Sequence, residues 1–285
     1  MRGLRRKKIE EDDDCLLLTE GAVASVREFG AVNWRGLWTL TAKETIRYIK
    51  IWQQTILSPL IMTFLFYAVF AIGGGVAAPQ TISGVSFIQF LLPGLVMMSM
   101  AQSAFVSPAI SLIISKLQGG IVDLLMPPLS AMEMTIAFTV SGVIRGLIVG
   151  VVSVEALVLV AGLTVPHIGI AILFAVLGSL MLSLMGLITG ILGDKFDHLG
   201  AMQNFIIMPA TFLSGTFFSV SQLPEEWRFV CFLNPFFYMI DGFRYAFTGQ
   251  ADALVVAGAG MLFIVSVVLF TIAYWLFAKG TRLKA

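Results

Sequence analysis

Arg145 and Glu155 stand inside one long apolar run, the only ionisable side chains over 134–164. Charge at membrane depth is costly and marks a functional position by default, so the chemistry on offer is the handling of a polar or charged cargo along a transport path. Ten residues separate the two, which is about 1000° of helical rotation and about 15 Å of rise, so they neither share a face nor touch. Arg145 lies in the cytoplasmic half, from where its long stem can carry the charge toward the headgroups. Glu155 has no such escape and must face a cavity, a partner helix or water; a role in transport and a bond between helices both remain open. Nothing else suggests a reactive centre. His167 and His198 lie about 40 Å apart along a helix and cannot share a metal. No Gly-x-x-x-x-Gly-Lys-Ser/Thr loop is present to cradle ATP phosphates. Cys15 and Cys231 show no metal or disulfide spacing and read as two ordinary thiols.

The elements that must hold these residues are dictated by composition. Of 285 residues 58% are hydrophobic and 12% charged, against about a quarter charged in soluble domains, so the bilayer is the solvent for most of the chain. Six stretches are long enough to span it as helices: 52–75, 86–114, 134–164, 167–192, 199–220 and 254–278. The fifth is interrupted by Pro209 and Gly215. No cleavable signal segment is expected, because the first long apolar stretch begins near Ile56. Residues 1–28, with Arg5 to Lys8 followed by Glu10 to Asp14, read as a disordered cytoplasmic tail. Lys and Arg crowd both ends and recur as Lys116 and Lys195, whereas the loops at 76–85 and 164–167 carry none. Both termini are therefore expected in the cytoplasm. Basic residues gathered at the ends, with a net charge of +1, give no stripe for nucleic acid.

Three further segments are neither spans nor plain loops. Over 29–51, Trp34, Leu37, Trp38, Ile46 and Ile49 interleave with Arg35, Lys43, Glu44, Arg47 and Lys50, the pattern of a helix lying in the membrane interface. Over 221–252 an aromatic stretch is broken by Pro224 and Pro235; too short to cross, it reads as a re-entrant element that must be covered by protein or water. Within it Asp241 and Arg244 sit at i, i+3 and are placed to pair. The cytoplasmic loop at 115–133 carries a short helix (120–126) stopped by Pro127-Pro128, and its Leu124, Leu125 and Met126 make an apolar knob, with Asp123 alongside, that needs another subunit as cover. Small residues at helical steps, Gly142, Gly146 and Gly150 in one span and Ser179, Ser183, Gly186 and Gly190 in the next, allow close packing. Packing within the subunit is favoured over a dimer seam.

The run Phe212-Leu-Ser-Gly-Thr-Phe-Phe-Ser, with Leu223-Pro-Glu-Glu-Trp, Asn234-Pro-Phe-Phe-Tyr and Asp241-Gly-Phe-Arg-Tyr, resembles the C-terminal signature of type-2 ABC exporter permeases, the ABC-2 transporter family, in its YadH-like branch. Leu124-Leu-Met-Pro-Pro-Leu-Ser resembles that family's coupling loop, and Pro93-Gly-Leu-Val-Met-Met-Ser and Ala42-Lys-Glu fit the same branch. Gly119-Gly120 departs from the basic or polar residues usual there, and the acidic tail has no counterpart.

The resemblance implies an all-α membrane protein of the type V exporter kind. Six spans make up a permease domain over 52–285, preceded by a connecting helix (29–51) carrying Lys43, Glu44 and Arg47, with a re-entrant helical pair before the last span. Gln118, Asp123, Leu124, Leu125, Pro127 and Pro128 would couple to a separate ATPase subunit, which alone would bind ATP and Mg. Pro224, Trp227, Asn234, Pro235, Tyr238, Asp241 and Arg244 would form a periplasmic gate, and Arg145 and Glu155 stay candidates for the path. A second copy of the chain and membrane lipids complete the expected partners, and the expected location is the bacterial inner membrane. Export of an amphipathic, lipid-like, lipid-linked or drug-like substrate is the function implied. The alternative is a secondary carrier working through an intramembrane carboxylate, for which the chain lacks a convincing internal repeat.

Overall fold

The computed structural model describes residues 32–77, 81–82, 85–122, 126–220 and 223–280. Trp34–Ala285 forms one compact unit; of the separate unit Met1–Asn33 only Val32 and Asn33 are described, so the expected tail falls outside the described residues. Of the helix expected over 29–51, residues 29–31 lie outside the described residues and Trp34–Lys50 forms α1. A π-helical turn, Gln53–Leu57, leads into α2, Ser58–Ala77. Four more long helices follow: α3 (Phe87–Leu117), α4 (Ala131–Ala161), α5 (Ile168–Leu192) and, after the shorter elements below, α10 (Val255–Lys279). With Gln53–Ala71 they give, among the described residues, five segments long and apolar enough to cross a membrane. Two short strands, β1 (Thr81–Ile82) and antiparallel β2 (Val85–Ser86), are a small exception to the helices among the described residues.

The expected span at 199–220 is not one helix. It is built from α6 (Phe196–Met202), a second π turn (Gln203–Ile207) and α7 (Met208–Phe212). The chain then turns through Gly215 at φ 73°, a left-handed conformation that glycine takes without strain. Both π turns precede a proline by two residues, Pro59 and Pro209. A proline's ring collides with the carbonyl four residues earlier and supplies no N–H to it, so the helix widens one turn upstream. The 17 helical residues of this run (196–212) reach about 25 Å, short of the ~30 Å hydrocarbon layer.

α3 lies at the centre, packed along α4 and α5. The small residues make this possible within the subunit. Gly186 faces the Phe105 backbone, Gly190 faces Ala109, and Gly142 and Gly146 face Ser183 and Ser179. The Ser183 hydroxyl donates to the Thr139 carbonyl at 3.0 Å. α3 and α4, at 31 residues each, are about 46 Å long and overrun the hydrocarbon.

The aromatic region expected at 221–252 contains α8 (Glu225–Leu233) and α9 (Pro235–Thr248), joined at Asn234. Asn234 makes the corner: its Oδ1 accepts the Phe236 N–H at 3.0 Å and its Nδ2 donates to the Ala210 carbonyl at 2.6 Å, while Pro235 fills the first helical position, where no N–H is needed. α9 runs antiparallel to the first half of α5. The His167 N–H donates to Ala246 O at 3.1 Å, Gly242 lies on the Phe174 ring, and Met239 lies on Gly178. Gly178 is ten residues past the start of α5, so the early turns of α9 sit about 15 Å inside the bundle.

Candidate functional site

The loop joining α3 to α4 is held at both roots. Gln118 closes α3, its N–H donating to Ile114 O at 2.9 Å, and Gly119 turns the chain at φ 71°. Ser130 and Glu133 open α4 with reciprocal side-chain-to-backbone bonds of 3.2 and 2.7 Å, satisfying two N–H groups that a helix start leaves bare. Lys116, at the end of α3, donates to the Ile191 and Gly193 carbonyls at the end of α5 and lies 3.6 Å from Asp194. That contact puts Lys116 and the Lys195 segment at the same end of the bundle, as the loop charges imply. Between these roots the Met126 N–H donates to Val122 O at 2.8 Å. Val122, Met126, Pro127 and Pro128 are exposed, while Asp123, Leu124 and Leu125 lie outside the described residues. Lys116→Met leaves helix-end carbonyls without their cation and is expected to cost about 1–3 kcal/mol; an unchanged thermal unfolding midpoint in detergent would remove Lys116 from this role.

α1 presents Leu40, Thr41, Glu44 and Tyr48 inward, packed on α4. Trp34 and Trp38 are exposed, as headgroup-level tryptophans should be, and Lys43 is exposed too. Glu44 holds Arg47 at 2.9 Å, and Arg47 in turn donates to Ser107 O on α3 at 3.2 Å. Two of the three polar connecting-helix residues thus lock α1 to the central helix.

At the opposite end, Asp241 and Arg244 do not pair as their i, i+3 spacing suggests. Each has a better partner. Asp241 accepts the N–H groups of Asp252 and Ala253, both at 3.0 Å. Arg244, fully buried, donates through Nε to Phe90 O at 3.1 Å and through Nη2 to Gly215 O at 2.7 Å, with its guanidinium 3.7 Å from the Phe90 ring centre. Asp252, in the loop after α9, accepts from the Ser219 hydroxyl and the Val220 N–H at 2.8–2.9 Å. Of the other expected gate residues, Pro224 and Trp227 are exposed and Tyr238 is half-buried.

Arg145 and Glu155 border separate cavities, consistent with their ten-residue spacing. Arg145 lines a space of about 320 Å³ with Gln54, Thr63, Ser99, Gln102 and Gln203, and its guanidinium lies 5.9 Å from the Tyr48 ring. Glu155 is exposed at the rim of an apolar space of about 270 Å³ walled by Met100, Ile172, Phe243 and Phe247. No described residue bonds to it.

A model of the ABC-2 type transporter family matches residues 35–248, from α1 through α9. The chain belongs to the ABC-2 type transporter family. It is 33% identical over 254 residues to the inner membrane transport permease YadH of Escherichia coli K12, covering 88% of this chain and 98% of that one. It is also 26% identical over 256 residues to nodulation protein J of Rhizobium leguminosarum bv. viciae, covering 86% and 93%. This ABC-2 chain is accordingly the membrane component of an ABC transporter.

In this ABC-2 permease, residues beyond the motifs complete the sites. Asp252 carries no helical spacing to betray it. Ser99, Gln102 and Ser103 do, at i, i+3, i+4 in a mostly apolar span, and Gln54 and Ser58 stand at i, i+4. Among the described residues no cluster of three or more metal-ligating side chains occurs; His167 stacks on Tyr245 and His198 accepts from the Asp194 N–H. Cys231 is a buried free thiol.

Proposed function

We propose that this permease exports an amphipathic, lipid-like, lipid-linked or drug-like substrate from the cytoplasm or inner leaflet of a bacterial inner membrane. Two copies work together, each seated on a separate ATPase subunit that binds ATP and Mg. The observation that carries this reading is the α3–α4 loop. It stands on two helices that overrun the membrane, is rooted by Lys116, Ser130 and Glu133, and exposes Val122 and Met126, apolar side chains that water does not favour. A partner subunit covers such a surface. Closure of the ATPases on ATP moves this loop, and because Lys116 and Arg47 tie α3 to α5 and α1, the movement reaches three helices together.

Both termini face the cytoplasm in this reading. The run 196–212 makes the fifth of six crossings together with its following turn, and α8 and α9 enter and leave the membrane from the periplasmic side as the outer gate. The depth of Met239 against Gly178 supports that re-entry. The relative named as an inner membrane transport permease supports the location. Purifying the tagged chain from its native membrane in mild detergent tests the reading. A Walker-motif subunit at one-to-one stoichiometry with ATPase activity is the expected result; the permease alone, across several mild detergents, would overturn it and return attention to Glu155 and a secondary carrier.

A further inference from the structure

Arg145 is a cation in search of an anion. It emerges from the middle of α4 at membrane depth, its Nε is buried without a hydrogen-bond partner, and among the described residues no carboxylate pairs with it. The carboxylate on the facing helix, Glu44, is committed to Arg47, and Arg47 itself lies near enough to repel Arg145. The Tyr48 ring at 5.9 Å offers a weak cation–π contact and no charge. A guanidinium at membrane depth with its Nε buried, a like charge nearby and no carboxylate partner among the described residues is a standing attraction for any anion that can reach it.

The cavity beside it is shaped for such a visitor. At about 320 Å³ it matches the small-molecule range. Ser99, Gln102 and Ser103 of α3 supply neutral donors, and each π turn contributes one glutamine, Gln54 from the first and Gln203 from the second. π turns inside helices gather at functional sites because they re-aim side chains, and here two of them border one cavity. The rim is different in kind: Met62, Phe66 and Phe212 are apolar and exposed on the outside of the subunit. A ligand with a charged head and an apolar chain satisfies both parts.

We propose that this cavity binds the phosphate-bearing headgroup of an anionic amphiphile entering sideways from the inner leaflet, with Arg145 as its charge partner and the Met62–Phe66–Phe212 rim along its chain. The proposal rests on the export reading only for the ligand's fate, since binding is read on the permease alone.

The full chain in nanodiscs of equal phosphatidylglycerol and phosphatidylcholine tests it, with retained lipid identified by native mass spectrometry. A charge-assisted bond to a desolvated phosphate corresponds to tenfold or more in affinity, roughly, so wild type is expected to retain phosphatidylglycerol by about that factor. Arg145→Gln abolishes the preference, Arg145→Lys keeps part of it, and Lys279→Gln, a cation lying over Trp275 elsewhere, leaves it intact. Equal retention of both lipids by wild type, or an unchanged preference in Arg145→Gln, overturns the proposal. If Arg145→Gln does not fold, titration of wild type with dihexanoyl phosphatidylglycerol against dihexanoyl phosphatidylcholine decides without a variant. Inorganic phosphate displacing phosphatidylglycerol at equal concentration would overturn the amphiphile part. With the ATPase co-reconstituted, ATP-dependent transfer of fluorescent phosphatidylglycerol upholds the site as a cargo site, and retention without transfer upholds it as a resident-lipid site.

Discussion

Gly186→Ala is expected to lower the stability of this permease by about 3 kcal/mol or more, the upper range for overpacking a tight interior. A methyl group at this position would lie 2.0 Å from the Phe105 carbonyl oxygen and 2.8 Å from its carbon. The obstacle is backbone in the middle of α3, so no rotamer change can relieve it and α3 must move off α5. That interface is the most extensive in the subunit. Moving α3 also strains the Lys116 bonds to the end of α5, so the damage reaches the loop proposed to meet the ATPase. Gly169→Ala is the control: it lies in the first turn of the same helix and its added methyl meets nothing within 4 Å. Thermal unfolding in one detergent reads both, with a drop of roughly 5–10 °C for the first and little change for the second. Equal midpoints would mean that α3 and α5 are not packed backbone to backbone at this level.

Gly186 also shows where sequence reading succeeds in this family. Helix length, hydropathy and small residues at steps of three and four are local properties, so five long spans and the close packing among them could be read directly. The interruption at Pro209 and Gly215 was equally visible, and there the structure breaks into α6, a π turn and α7. A helix was expected over 29–51 from its interleaved Trp and Lys/Arg, and α1 occupies Trp34–Lys50 of that stretch. What could not be read depends on partners brought together by folding. Arg244 and Asp241 share one helical turn, yet each satisfies itself with backbone groups up to 154 residues away, because a buried guanidinium or carboxylate gains more from several aligned partners than from one strained pair. The polar lining of the Arg145 cavity comes from π turns and spans distant in sequence. Only the i, i+3, i+4 spacing of Ser99, Gln102 and Ser103 hinted at it.

Arg244→Lys should therefore behave as a severe change despite keeping the charge. The guanidinium reaches Phe90 O through one nitrogen and Gly215 O through another while its face lies on the Phe90 ring. A lysine ammonium is a single point with no fork and no planar face. It can meet one carbonyl and must give up the charge-assisted bond to the other, at a cost of about 1.5–3 kcal/mol. Arg244→Met goes further, removing both charge-assisted bonds and the buried cation beside Asp241 and Asp252, for about 3–5 kcal/mol. Arg244 fastens α9 to the start of α3 and to the turn after α7, so loosening it frees the element proposed as the outer gate. Transport by Arg244→Lys, assayed well below its own unfolding midpoint, is expected to fall at least about tenfold while ATP hydrolysis by the partner persists, because the α3–α4 loop lies at the other end of the bundle. Loss of hydrolysis in step with transport would instead mean that Arg244 holds up the whole subunit, and wild-type behaviour in both would mean that the gate does not depend on this fastening.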